Sequence, residues 1–278
     1  MNSSHQLNVD LHCHTTASDG VLSPTEIVAR AISQGVDVLA ITDHDNCDGL
    51  AEAQLAAADQ LKLISGIEFS AVWRGITIHI VGLDFDPNLL GDAIERQKLA
   101  RQERSLKIAR RLEKQGVPNA LAGAEAFAAN EFIGRPHFAK YLVAEGFFAG
   151  ENDAFNKWLG AGKIGDVKTA WPTINTVTND IVAAGGKAVL AHPHHYKMTN
   201  QKLGRLLTEF KTCGGVGLEV CVSGMTTEKT AYFATLCEKY DLMASRGSDF
   251  HTPHNQWVEL GRVAPLPQSV KPIWRLFN

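Results

Sequence analysis

The sequence predicts an α/β fold, a barrel or an open sheet, interrupted by an inserted helical segment. Three observations carry this expectation. Short apolar runs recur near 8–12, 37–42, 62–68, 76–82, 187–191, 216–221 and 242–247. Helical patterns separate most of them, a rhythm that implies parallel pairing. Residues 91–165 carry helical patterns without a convincing strand.

The first helix has the clearest start. Ser23-Pro24-Thr25-Glu26 offers a capping serine, a proline at the first helical position and a glutamate completing a capping box. Ile27, Val28, Ala31 and Ile32 follow at helical spacing, and Gly35 supplies the stop. One connection breaks the parallel rhythm. Only the six residues Ser70 to Gly75 separate the runs ending at Phe69 and starting at Ile76. A parallel crossover needs about a dozen residues or more, so these strands are expected to form an antiparallel hairpin. A regular eight-fold barrel is therefore disfavoured. Within the insertion, Asp92 to Gln115 reads as a charged helix, with shorter helices near 121–130, 136–145 and 152–159.

The 278 residues suffice for one large domain with an insertion. A net charge of -3 advertises neither nucleic-acid nor membrane affinity, although it permits a local basic pocket. The five cysteines are odd in number and form no CxxC pair, which points to a reducing, cytoplasmic setting. Residues 1–8 lack the features of a signal peptide, and no apolar run approaches the roughly 18–20 residues of a membrane span. No obligate protein partner is indicated.

Placement of histidine is the strongest chemical signal. Of eleven histidines, six lie at or near the ends of apolar runs: His12, His14, His44, His79, His192 and His251. Period-two alternation puts His12 and His14 on one face and Leu11 and Cys13 on the other. An isolated pair of this kind is more often one packed and one exposed histidine. Here, however, Asp43-His44, Glu68, His79, His192 and Asp249-His251 sit where other apolar strands run out or face inward. In barrels such ends converge on one rim. Burying so many ionisable groups together is costly unless they pair or hold metal. Mixed imidazole and carboxylate donors suit Mn, Fe or Zn better than calcium. Cys13 is expected to be a small core residue.

At this point the motifs HCH at 12–14, TDHD at 42–45, Glu68, AHP at 191–193 and GSDFH at 247–251 resemble the PHP (polymerase and histidinol phosphatase) family. The resemblance covers roughly 9–90 and 165–265. Within the family the chain is similar to the bacterial subgroup of 3',5'-nucleoside bisphosphate phosphatases and 5'-to-3' exoribonucleases, through IHIVGLDFD at 78–86, IGRPHFA at 133–139 and AGGKAVLAHP at 184–193. It implies a distorted seven-stranded (β/α) barrel over 1–90 and 166–278, with residues 91–165 as a helical subdomain that contributes to substrate binding. It also implies three divalent ions, manganese favoured and iron, zinc or magnesium possible. The first would take His12, His14, Glu68 and Asp249. The second would share Glu68 and add His79 and His192. The third would take Asp19, His44 and His251, with Asp19 resting on the family alone. Glu68, His192 and Asp249 are the expected catalytic residues.

The implied reaction is removal of the 3'-phosphate from a nucleoside 3',5'-bisphosphate such as 3'-phosphoadenosine 5'-phosphate, with trimming of short RNA from its 5' end as a second activity of the same site. Arg135, at a helix start, is the expected phosphate contact, with His137 touching substrate or bracing the loop. The subgroup commonly has Gly-Arg-Tyr after AHP, whereas this chain has His194-His195-Tyr196. His195 lacks the bidentate fork of arginine, and His194 and Lys197 are the candidates to compensate. The alternatives are a histidinol-phosphate phosphatase and a non-catalytic metal-binding accessory module. The helical insertion weighs against the first, and the intact ligand set against the second.

Overall fold

The computed structural model describes residues 7–128, 132–168 and 171–277. Seven strands follow one another around the sheet in chain order. β1 (Val9–Asp10) leads to α1 (Pro24–Ser33), β2 (Val38–Ile41), α2 (Leu50–Ala57), β3 (Lys62–Trp73) and β4 (Ile76–Leu83). The helices α3 (Gly91–Glu113), α4 (Ala120–Glu125), α5 (Arg135–Ala144) and α6 (Glu151–Ala154) come next, the last running into a π-helical turn over Phe155–Leu159. The chain then returns through α7 (Ile174–Ala183), β5 (Lys187–Leu190), α8 (Asn200–Thr212), β6 (Gly217–Val222), α9 (Thr227–Tyr240) and β7 (Met243–Gly247).

The local signals act as expected at α1. Ser23 accepts from the Glu26 amide and Glu26 accepts from the Ser23 amide, so both halves of the capping box form. β3 and β4 are antiparallel, but the connection is shorter than the sequence suggests. β3 continues past Glu68 to Trp73, leaving only Arg74 and Gly75 in the turn. Both have positive φ, 47° and 75°, which a two-residue hairpin turn of matching twist requires.

β4 is also antiparallel to β5, so it is the one reversed strand among parallel neighbours. Closure comes from β1 and β7. Leu11 donates its amide to Arg246 O at 3.1 Å, and Cys13 bridges Phe250 beyond the strand ends. Cys13 O still accepts from the Thr42 amide at 2.9 Å, so the segment after Asp10 lies between β2 and β7 with its alternation disturbed. Leu11 packs with Val9, Val38, Val81 and Val189 in one core, whereas Cys13 packs with Leu39, Ile41 and Phe250 in another. Leu11 and Cys13 therefore do not share a face as expected. His12 and His14 still do, because their ring nitrogens meet.

A further core gathers Ile108, Leu112, Phe138, Leu142, Leu159 and Val167 beneath α3 to α6. α3 is tied to the barrel rim by Asp45. That carboxylate accepts from the Ser70 amide at 2.6 Å, the Ser70 hydroxyl at 3.0 Å and the Arg101 guanidinium. Gln97 adds a bond to Ser70 O at 2.7 Å.

β7 passes against His12 with no room for a side chain. A methyl on Gly247 would lie 2.7 Å from the His12 amide nitrogen and closer still to its Cβ. Gly247→Ala is expected to cost about 1–3 kcal/mol, a typical overpacking penalty, and to lower the melting temperature by several degrees. Gly91→Ala, at the start of α3 with open space around the new methyl, is the control and should be neutral or mildly stabilising. Equal melting temperatures for the two variants would contradict the close approach at His12.

Candidate metal centre

The site is built around one buried carboxylate. Glu68 is 1% exposed and lies inside the barrel near the rim. The chain leaving β2 holds it there, since Asp45 donates its amide to Glu68 O and Glu68 donates to Asp43 O. Glu68 Oε1 is 2.9 Å from His79 Nδ1 and 2.9 Å from His192 Nε2. Oε2 is 2.9 Å from His44 Nδ1 and 3.4 Å from His14 Nε2. His79 can reach this centre because β4 is reversed: its early residues stand at the rim, with His79 paired to Ser70.

The remaining donors surround that centre. His12 Nε2 and His14 Nε2 are 3.2 Å apart, and each lies about 3.5 Å or less from Asp249 Oδ1, at 3.5 and 3.4 Å. Asp19 comes from the turn after His14. Its carboxylate is 3.3 Å from His251 Nε2 and 3.8 Å from His44 Nε2. Asp45, His192 and Asp249 have φ of 57°, 26° and 57°, so three rim residues occupy a backbone region that non-glycine residues rarely adopt.

Four groups of donors could each hold a cation: His12, His14 and Asp249; His12, Glu68 and His192; His44, Glu68 and His79; and His14, Asp19, His44 and His251. Together they comprise the same nine residues expected from the sequence. The chemistry of the set fits divalent ions. Two imidazole nitrogens in contact need a proton or a cation between them. His44 Nδ1 and Asp19 Oδ1 are buried and make no well-aligned hydrogen bond among the described residues, although Glu68 Oε2 and His251 Nε2 lie 2.9 and 3.3 Å away. The His12 tautomer fits as well. Glu219 Oε1 accepts from His12 Nδ1 at 2.8 Å, which leaves the Nε2 lone pair facing the cluster.

The electrostatics point the same way. Burial would raise the carboxyl pKa values of Glu68, Asp249 and Asp19, but the surrounding histidines hold all three well below their usual range. Burial would lower His251, yet Asp19 and Asp249 push it up to about 10. His14, buried beside His251, falls to about 3. Anionic carboxylates thus demand positive charge from the imidazoles, a demand that divalent cations satisfy with the imidazoles neutral.

The expected substrate residues flank this centre unequally. His194 is half-buried and His195 exposed, with ring centroids 3.9 Å apart, and His195 lies 5.2 Å from His192. Lys197 is exposed and forms no ion pair among the described residues. Arg135 does begin α5, but Nη1 donates to Leu159 O at 3.1 Å. His137 is buried and braces the helix start, its Nδ1 accepting from the Gly134 amide at 3.0 Å.

A family model described as the PHP domain matches residues 10–134. The chain is 46% identical over 272 residues to a 5'-3' exoribonuclease from Haemophilus influenzae, covering 96% of this chain and 98% of that protein. The chain belongs to the PHP family. It is also 39% identical to a 3',5'-nucleoside bisphosphate phosphatase from Chromobacterium violaceum, covering 96% of this chain and 95% of the other. Among solved structures, an amidohydrolase from Chromobacterium violaceum with bound sulfate and no metal superposes with a TM-score of 0.89 at 39% identity, covering 97% of this chain and 95% of that one. The likeness therefore extends well beyond the PHP segment matched by the family model.

Several residues supporting this PHP centre had no role assigned from the sequence, Asp43 although its motif was noticed. Glu219 orients His12 and also accepts the His192 amide at 2.5 Å. Asp43 accepts from the Thr15 amide and hydroxyl and from the Ser18 hydroxyl, fixing the turn that carries Asp19. Asp10 accepts from Ser248 N and Gly261 N, each at 2.8 Å, and so fixes the start of the segment that carries Asp249. Glu219 had a signal, a lone charge in the apolar run Leu218 to Val222, the same anomaly as His79.

Glu219→Gln keeps the size of the side chain but not its two anionic acceptors. Metal affinity is expected to fall roughly 10–100-fold, as for other residues that orient metal-binding histidines. Chelator competition would measure it. Unchanged affinity in a folded variant would mean that Glu219 serves only the barrel.

Proposed function

We propose that this protein is a metal-dependent phosphoesterase that removes the 3'-phosphate of nucleoside 3',5'-bisphosphates. The observation that carries this reading is the convergence of six imidazoles and three carboxylates on one rim, directly beneath the arginine-bearing insertion. The similarity to a Chromobacterium violaceum 3',5'-nucleoside bisphosphate phosphatase over nearly the whole chain supports it. The 46% identity to an exoribonuclease favours a second activity of the same site, stepwise trimming of short RNA from its 5' end.

Three ions, manganese foremost, would be held by the sets named above: His12, His14, Glu68 and Asp249; Glu68, His79 and His192; Asp19, His44 and His251. Such ions acidify water and neutralise phosphate charge. The protein's own residues do the rest. Glu219 keeps His12 in the required tautomer, and Asp43 and Asp10 keep Asp19 and Asp249 at the rim. Arg135 and the neighbouring guanidiniums attract the second phosphate from the insertion, residues 91–165, which we assign to substrate binding. His194 and His195, beside His192, are assigned to substrate contact together with Lys197 and His137. Among the described residues no helix is long and apolar enough to cross a membrane, and all five cysteines are free thiols. The free thiols support a reducing, cytoplasmic setting.

A phosphate-release panel in manganese tests the reading, with 3'-phosphoadenosine 5'-phosphate, short 5'-phosphorylated RNAs and histidinol phosphate. The bisphosphate is expected to be turned over at least tenfold more efficiently than histidinol phosphate. Glu68→Gln, which removes a charge shared between ions, should abolish turnover of every substrate while the protein stays folded. Preference for histidinol phosphate, or substantial activity in Glu68→Gln, would contradict this function.

A further inference from the structure

On the outer wall of the barrel, α8 packs beside α9 and against the β3–β4 turn. A groove of about 830 Å³ lies between them, far more room than one phosphate needs. Arg74, Arg205 and Lys239 line it, with Glu209 as its one carboxylate. This cationic lining belongs to a chain whose net charge is -3. Glu209 is already engaged by the Arg74 guanidinium and the Trp73 indole, and nearby Asp241 by Lys211. Arg205 and Lys239 are exposed and form no ion pair among the described residues. Two unmatched cations on facing helices attract an anionic partner.

The groove is also aromatic. Tyr232 and Tyr240 line it half-buried, and Lys239 Nζ lies 5.4 Å from the Tyr240 ring centroid. A methyl on Gly204 would lie 2.6 Å from the Tyr240 hydroxyl, so the glycine lets that tyrosine reach across to α8. Cations beside exposed ring faces are the combination that holds single-stranded nucleic acid: charges follow the backbone, and rings stack on bases of any identity. The position fits as well. Both sides of the groove continue from the metal centre. Arg74 stands five residues before His79 on the β3–β4 hairpin, and α8 begins at Asn200, eight residues after His192. Tyr196 joins the two at the rim, its hydroxyl accepting from the His79 amide at 3.0 Å. Exposed Lys197 follows it, on the way from the rim to the groove.

We propose that this groove between α8 and α9 carries the body of a single-stranded RNA whose 5' end occupies the metal centre. This rests on the RNA-trimming reading of the site. A mononucleotide ends at the rim, so the groove acts on long substrates and not on nucleoside bisphosphates. Arg205 and Lys239 hold the RNA backbone, and Tyr240 stacks on a base.

The probe is a 5'-phosphorylated oligouridylate of about ten nucleotides with a 3' fluorescein, a length within the range that such grooves cover. Its affinity for chelator-treated protein is read by anisotropy at several salt concentrations. The double variant Arg205→Gln, Lys239→Gln changes only exposed positions and is expected to bind roughly tenfold more weakly or worse, with a slope of log affinity against log salt shallower by about 1.4, the loss of two phosphate contacts on a single strand. Tyr240→Leu should weaken binding roughly five- to hundred-fold without changing that slope, the loss of one stacked base. With manganese present, the double variant should lose roughly tenfold or more in catalytic efficiency on the oligouridylate, and less than about twofold on 3'-phosphoadenosine 5'-phosphate. Unchanged RNA affinity or salt slope in the double variant would leave the groove to an acidic protein partner and overturn the proposal, as would equal losses on RNA and bisphosphate. RNA binding that the double variant weakens, in a protein that shortens no RNA, would overturn the trimming activity and leave the RNA groove standing.

Discussion

Five histidines crowd one carboxylate. Glu68 has ring nitrogens of His79, His192 and His44 at 2.9 Å, and those of His14 and His12 at 3.4 and 3.5 Å. Much of the barrel's irregularity makes this contact possible. Reversal of β4 presents His79 at the rim, where a parallel strand would place its first residues at the far end. The segment carrying His12 and His14 lies between β2 and β7, and Gly247 lets its approach to β7 be close. Asp10, Asp43 and Glu219 are not themselves in the donor groups, but each fixes a loop or ring that is. A negative, buried rim of this kind is stable only with positive charge at its centre.

The insertion supplies charge of the opposite sign. The barrel gathers carboxylates and imidazoles, whereas the helical layer brings guanidiniums on α3 and α5. Asp45 joins the two layers, accepting from Ser70 on the barrel and from Arg101 on the insertion. On the proposed function, a substrate with two phosphates would bridge the same divide, with one phosphate towards the donor cluster and the other towards the arginines, which would give the more than seventy residues between β4 and α7 a role.

Much of this was legible in the sequence because it is written in strong local codes. Strand positions followed from apolar runs, α1 from its capping box, and the antiparallel hairpin from a connection too short for a crossover. The nine donors were visible as polar residues where apolar strands stop, apart from His79, which interrupts an apolar run, and Asp19, which only the family resemblance supplied. The failures were long-range or conformational. The extension of β3 to Trp73 depends on pairing with β4, not on the composition of Ser70 to Trp73. The separation of Leu11 from Cys13 depends on the irregular end of β1 between β2 and β7. Glu219 could have been noticed as a lone charge inside a strand. The burial of Arg104 could not, since on a helix with repeated Arg and Lys nothing local distinguishes a buried guanidinium from a solvated one.

The central claim is that Glu68 is shared between divalent ions. Anomalous diffraction from crystals of the manganese-loaded protein tests it most directly. At least two anomalous peaks are expected in contact with the Glu68 carboxylate, with a further peak among Asp19, His44 and His251. A single peak, or peaks that leave Glu68 bonded only to protonated histidines, would contradict it.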